Sequence, residues 1–159
     1  MIPPELTDAV AQVAQALEEG DLVTAKAATR ELTYRSAHSF GPEHPHTLET
    51  YALDAYISYL DGDQARSTAA SLRLARLRFS QSDARAPEEV LRAFATWELL
   101  TAPHTTVRLG EELLSVWTQI MGDAIGAAAV HTIRNRLSAF THVPVSPFAN
   151  GASEQSNAP

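Results

Sequence analysis

Residues 40 to 48 read FGPEHPHTL, and this stretch from Phe40 to Leu48 divides two long helix-forming runs. Gly41-Pro42 ends the helix before it, because proline supplies no N–H and biases its preceding residue away from helical angles. Pro45 is expected to hold off an immediate restart, with Thr47 acting as N-cap of the next helix. Features on either side recur at one spacing. Gly20-Asp21 and Gly62-Asp63 are 42 residues apart, and Leu6 and Leu48 each stand 14 residues before their glycine.

Upstream, Pro3 and Pro4 stop any earlier helix, and Pro4 suits a first helical turn. Between Glu5 and Glu19 the positions Leu6, Ala9, Val10, Val13, Ala14 and Leu17 form one apolar stripe at helical spacing. Gly20-Asp21 closes it. Leu22 to Ser39 reads as a second helix through Leu22, Ala25, Ala28 and Leu32, with Phe40 at its end. So short a connection forces an antiparallel hairpin. The pattern then repeats. After Thr47 comes an aromatic-rich run of Tyr51, Leu53, Tyr56, Ile57, Tyr59 and Leu60. After Gly62-Asp63 a fourth helix extends to about Ser80 through Ala65, Ala69, Leu72, Leu74, Ala75, Leu77 and Phe79.

The polar segment 80–87 forms the next joint, and Pro87-Glu88-Glu89 places two acids in a positive first turn. A fifth helix is expected at about 87–101, a sixth at roughly 105–120 and a seventh at about 123–141. The last two read equally as one helix with a defect at Gly122. Residues 1–143 thus form one helical domain. Residues 144–159, PVSPFANGASEQSNAP, are expected to be a disordered tail, since their Pro, Gly, Ser and Asn bury little. Period-two alternation is missing throughout, which leaves no case for strands.

Composition narrows the function classes. The 159 residues include no cysteine, excluding disulfides, cysteine nucleophiles and cysteine metal ligands. A net charge of -7 opposes nonspecific affinity for nucleic acid or anionic membranes. The acidity is uneven. Residues 1–60 carry nine acidic against three basic side chains, whereas residues 61–87 carry three acidic against five arginines. MIPPELTD lacks the basic and apolar regions of a signal peptide, and no apolar run approaches the ~18 residues of a membrane span. A cytoplasmic location is expected, and the Ala- and Arg-rich, Lys-poor composition fits a GC-rich bacterial source.

Gly41, His44, Pro45, Thr47 and Leu48, flanked by Gly20 and Gly62, resemble the inter-repeat segment of long-period tetratricopeptide repeats, the kind found in kinesin light chains and many bacterial repeat proteins. Ala25 matches the small residue of the second helix in that repeat. The second repeat departs from the pattern: a charge, Asp54, replaces the usual leucine, Ser58 stands at the aromatic position and Ser67 at the small one. A third repeat keeps helix lengths only. The resemblance implies an all-α solenoid of stacked antiparallel hairpins with a C-terminal capping helix. It also implies a non-catalytic scaffold or adaptor that binds a protein or peptide. The alternative function is a sensory or effector domain holding a small apolar ligand between hairpins.

In such repeats the first helix of each hairpin lines the inner wall. The resemblance carries groove-facing positions onto Glu49, Ala52, Tyr56 and Tyr59 in the second repeat, and onto Thr7, Val10, Ala14 and Leu17 in the first. Tyrosine suits an interface because it joins a rigid apolar ring to a hydroxyl; packing between repeats accounts for the same pair equally well. Trp97 and Trp117 lie within apolar stripes and are expected in the core. Arg66, Arg73 and Arg76 fall near one face of helix four, either as a solvated face or as a patch for an acidic partner.

His38, His44 and His46, with Glu43 beside them, raise zinc as a question, but structural zinc needs four converging ligands, so neither metal nor cofactor is expected. The pairs Glu88-Glu89 and Glu111-Glu112 are helix neighbours that point apart, and no nucleophile or phosphate-loop motif occurs, so no enzyme is expected. The uncapped first hairpin, with Val10, Val13 and Leu17, raises a homodimer.

Overall fold

The computed structural model describes residues 3–122 and 126–141, the Glu5 side chain excepted. The proposed tail at 144–159 lies outside them. A short 3-10 turn, Pro4–Leu6, leads into α1 (Thr7–Glu18), α2 (Leu22–Phe40), α3 (Pro45–Leu60), α4 (Gln64–Ser80), α5 (Ala86–Trp97), α6 (Pro103–Met121) and α7 (Ala127–Thr141). The chain is all-α, and α6 and α7 are separate helices.

The Gly-Asp pairs do two jobs at each hairpin turn. At the end of α1 the Gly20 N–H donates to Leu17 O (3.2 Å) and the Asp21 N–H to Ala16 O (2.9 Å). At the end of α3 the same bonds run from Gly62 to Tyr59 (3.1 Å) and from Asp63 to Ser58 (2.9 Å). Both glycines hold φ of +71° and +78°, the left-handed geometry that closes a helix. Each aspartate then opens the next helix, its carboxylate accepting the N–H of Thr24 (3.0 Å) or Arg66 (3.1 Å).

Thr47 is not the cap of α3. His44 takes that place, its Nδ1 accepting the His46 N–H at 3.1 Å, and Pro45 is the first helical residue. Proline costs nothing there because a first-turn N–H has no intrahelical partner. Thr47 is instead buried, donating its hydroxyl to Gly41 O at 2.7 Å and sharing a 3.0 Å hydrogen bond with Ser36 of α2. Leu48 beside it is buried too.

Successive helices pack on one another as stacked antiparallel hairpins; α6 also packs on α4, and α7 covers α6 as the closing helix. The 42-residue period reappears in what is buried: Leu6 and Leu48, Val13 and Ala55, Ala16 and Ser58, Ala25 and Ser67, Leu32 and Leu74. Val13, Ala16 and Ala25 join the core of the first hairpin, which also takes in Ile57. A second core gathers Leu72 and Ala75 of α4 with Val90, Trp97, Leu109, Leu113, Trp117 and Ile133.

Apolar spacing alone misplaces part of α4. Phe79 is 42% exposed, whereas Ser67, Thr68 and Ser71 are buried. Two of these hydroxyls are satisfied by neighbouring oxygens: Ser67 donates to Ala55 O (2.9 Å), and Thr68 shares a 2.8 Å bond with Thr96.

The far end turns on Trp97. Its Nε1 donates to Thr106 O at 2.8 Å, and the Arg136 guanidinium of α7 lies 4.7 Å over its ring. Arg136 also donates to Trp97 O (2.7 Å), which accepts the Leu100 N–H as well, and to Leu100 O, so it caps the carbonyl end of α5. Gly110 of α6 lets these elements meet, since a Cβ there would lie 2.8 Å from both Trp97 Cζ2 and Leu137 Cδ2. Gly110→Ala is expected to destabilise the protein by ~1–3 kcal/mol through overpacking, seen as an earlier urea midpoint. A gain in stability, as expected for an ordinary exposed helix glycine, would contradict this packing.

Candidate functional site

The first helices of the hairpins, α1, α3 and α5, make no close packing with one another among the described residues. Open grooves therefore run between them, floored by the second helices. The larger, about 470 Å3, has α3 as one wall through Ala52, Ala55, Tyr56 and Tyr59. Glu89, Arg92, Ala95 and Thr96 of α5 form the other wall, and Ser67 and Ser71 of α4 the floor. Ala52, Tyr56 and Tyr59 share a face by helical spacing, while Leu48, Ala55 and Ile57 hold α3 to the core. Tyr56 and Tyr59 stay 53% and 48% exposed, so their rings line the groove instead of packing between repeats. Small residues below leave room for a side chain or a helix to approach.

A second groove of about 310 Å3 lies between α1 and α3, lined by Leu6, Val10, Leu32, His46, Glu49, Thr50 and Leu53. Val10 and Glu49 therefore belong here, not beside the tyrosines. Ala14 is exposed and lines neither groove; Leu17 is half-buried against the first core. Val13 is buried, so most of the apolar stripe that raised self-association is used inside its own hairpin.

Between the grooves runs a chain of charges that sequence reading passed over. Arg78, 2% exposed, donates to Asp83 at 3.0 Å and, more weakly, to Glu49 at 3.4 Å. Its Nε lies 3.4 Å from Glu89, which is equally buried and accepts from Arg92 at 2.9 Å. Arg85 completes the set, bridging Glu49 (2.9 Å) and Asp83 (3.0 Å). The Arg85 side chain, then its backbone N–H, and Arg78 beyond them hold the Asp83 carboxyl well below the usual carboxylate range. The signal was present in the period: Arg78 and Glu89 stand 42 residues after Ser36 and Thr47, the pair that joins α2 to α3.

Arg66, Arg73 and Arg76 of α4 do not form one patch. Arg66 pairs with Asp54 (3.1 Å), and Arg73 lies 4.5 Å over the Tyr51 ring. Arg76 turns away to Glu112 of α6 at 2.6 Å.

At the joint, the rings of His44 and His46 are 4.9 Å apart and contact Phe40, whereas His38 stacks on Tyr34. Among the described residues no group of three His, Cys, Asp or Glu could hold a metal, and no helix is long and apolar enough to cross a membrane. Trp97 and Trp117 are both core residues.

Removing one member of a buried ion pair strands the other, so Arg78→Ala is expected to cost ~3–5 kcal/mol in urea unfolding. The volume-matched double variant Arg78→Met/Glu89→Leu should cost distinctly less; equal losses would deny the coupling. Acid sensitivity follows from Asp83, whose folded pKa is depressed. Its contribution is complete above the unfolded aspartate range near pH ~4 and is lost as pH falls below it. Asp83→Asn should flatten the stability–pH curve below that pH, and an unchanged curve would exclude Asp83 as its source.

Compared with known proteins, the chain matches neither a family model nor a curated protein.

Proposed function

We propose that this chain is a non-catalytic docking module of tetratricopeptide type, working in a bacterial cytoplasm as an adaptor or regulatory accessory. Its ligand is a helical or extended segment of another protein, seated in the groove between α3 and α5. One observation carries the reading: Tyr56 and Tyr59 stand half-exposed on the wall of an open groove whose floor is made of small residues. Rigid aromatic anchors beside small floor residues are what a docked segment requires, and the exposed Arg92 supplies a polar edge.

A second reading has a specific observation behind it. The volume of about 470 Å3 falls among those of small-ligand sites. An apolar molecule held there would be an effector, and native mass spectrometry of the purified protein would show the added mass. The open sides of the groove weigh for a chain segment.

The deciding experiment is affinity capture from the native host, comparing wild type with Tyr56→Ala/Tyr59→Ala after circular dichroism shows equal helicity. Loss of two anchors should weaken the captured partner by ~2 kcal/mol or more, about thirtyfold in Kd. Arg76→Gln, which lies outside the groove, should bind as wild type does. Equal affinity of the tyrosine variant and wild type for the same partner would end the proposal.

A further inference from the structure

A separate cleft of about 300 Å3, lined by none of the residues of the two grooves, lies between α2 and α4. Arg30 and Tyr34 reach it from α2, Tyr51 and Asp54 from α3, and Arg66 and Arg73 from α4. Three guanidiniums thus meet a single carboxylate in a protein whose net charge is -7. That carboxylate is already occupied: Arg66 Nη2 donates to both oxygens of Asp54, at 3.1 and 3.3 Å. Arg73 has only an aromatic partner, its guanidinium resting over the Tyr51 ring and donating to the Tyr51 hydroxyl at 3.4 Å. Arg30 is exposed and has no hydrogen-bond or ion-pair partner among the described residues.

We propose that this cleft is an anion site that takes carboxylate side chains from an acidic segment of a protein partner. Two guanidinium side chains without carboxylate partners line this one cleft, and the Tyr51 ring holds one of them in place. Planar guanidinium forks match carboxylate geometry and bind it through paired N–H donors. A short acidic segment is favoured over nucleic acid for a physical reason. A polyanion would bring many phosphates against a surface that is acidic overall, whereas one or two carboxylates meet only the local positive field. Arg76 has no part in the site, because it turns to Glu112. The cleft shares none of its lining residues with the tyrosine groove.

The test uses the full chain labelled with nitrogen-15 and four probes at one salt concentration: acetylated penta-glutamate, acetylated penta-glutamine, inorganic phosphate and a short oligothymidylate. Penta-glutamate should shift the side-chain Nε–H signals of Arg30 and Arg73 saturably, and penta-glutamine should not. Arg30→Gln/Arg73→Gln should weaken that binding by at least about tenfold, with unchanged helicity, and Arg76→Gln should leave it as in wild type. Arg30→Gln alone gives a second measure, since its side chain forms no hydrogen bond or ion pair among the described residues. Unmoved Arg30 and Arg73 signals would overturn the proposal, as would equal weakening by Arg76→Gln. Tighter binding of phosphate or oligothymidylate to the same guanidiniums would overturn it in favour of those ligands.

Discussion

The stack depends on how Arg78 is held between the second and third hairpins. Taking a guanidinium out of water costs several kcal/mol unless acceptors replace the solvent. Here Asp83 in the joint accepts at 3.0 Å and Glu49 of α3 more weakly at 3.4 Å, while Glu89 of α5 sets its charge 3.4 Å from Nε without a hydrogen bond. Because these groups come from α3, α4, the joint and α5, the set ties the seating of α5 to that of α4. The first joint meets the same demand with neutral groups: Ser36 and Thr47 share a hydrogen bond, and the Thr47 hydroxyl donates to Gly41 O. One geometric position in the repeat is thus filled by two hydroxyls in one place and by an ion pair in the other.

Polar contacts carry an unusual share of the interior on this side of the molecule. Ser67, Thr68, Ser71 and Thr96 add little apolar area, and a hydrogen bond contributes only ~1 kcal/mol net. Large apolar burial is concentrated further along, where Trp97, Leu109, Leu113 and Trp117 close against α7. Arg136 ties that closing helix down through its contacts with Trp97 and the end of α5. Small hydroxyl residues have a second consequence. They form the floor of the α3–α5 groove, so the interior that packs least apolar volume is also the part that leaves space beneath Tyr56 and Tyr59.

The two faces of the stack differ in chemistry. One presents tyrosines over a shallow, nearly neutral groove; the other presents guanidiniums beside Tyr34 and Tyr51. Both arise from the same hairpin geometry, with first helices on one side and second helices on the other. A ligand on either face would bridge successive hairpins and stabilise their stacking by linkage.

Local chemistry made the hairpins legible in the sequence. Gly20-Asp21 and Gly62-Asp63 combine a left-handed residue with a capping carboxylate, a pairing that acts within a few residues and needs no tertiary partner. That Tyr56 and Tyr59 share a helical face was legible from their spacing, but the sequence left a groove wall and packing between repeats equally open. What the sequence could not show is which side chains meet across the joints. Arg78 reads as one more surface arginine until α5 brings Glu89 against it, and Phe79 reads as core although it is exposed while Ser67, Thr68 and Ser71 are buried. Arg30 lies 43 residues from Arg73, and only the stacking of α2 beside α4 turns two unrelated charges into one cleft. Residue type and spacing fix a helix and its faces; the partner of a charged side chain depends on distances between helices, which the tertiary fold alone decides.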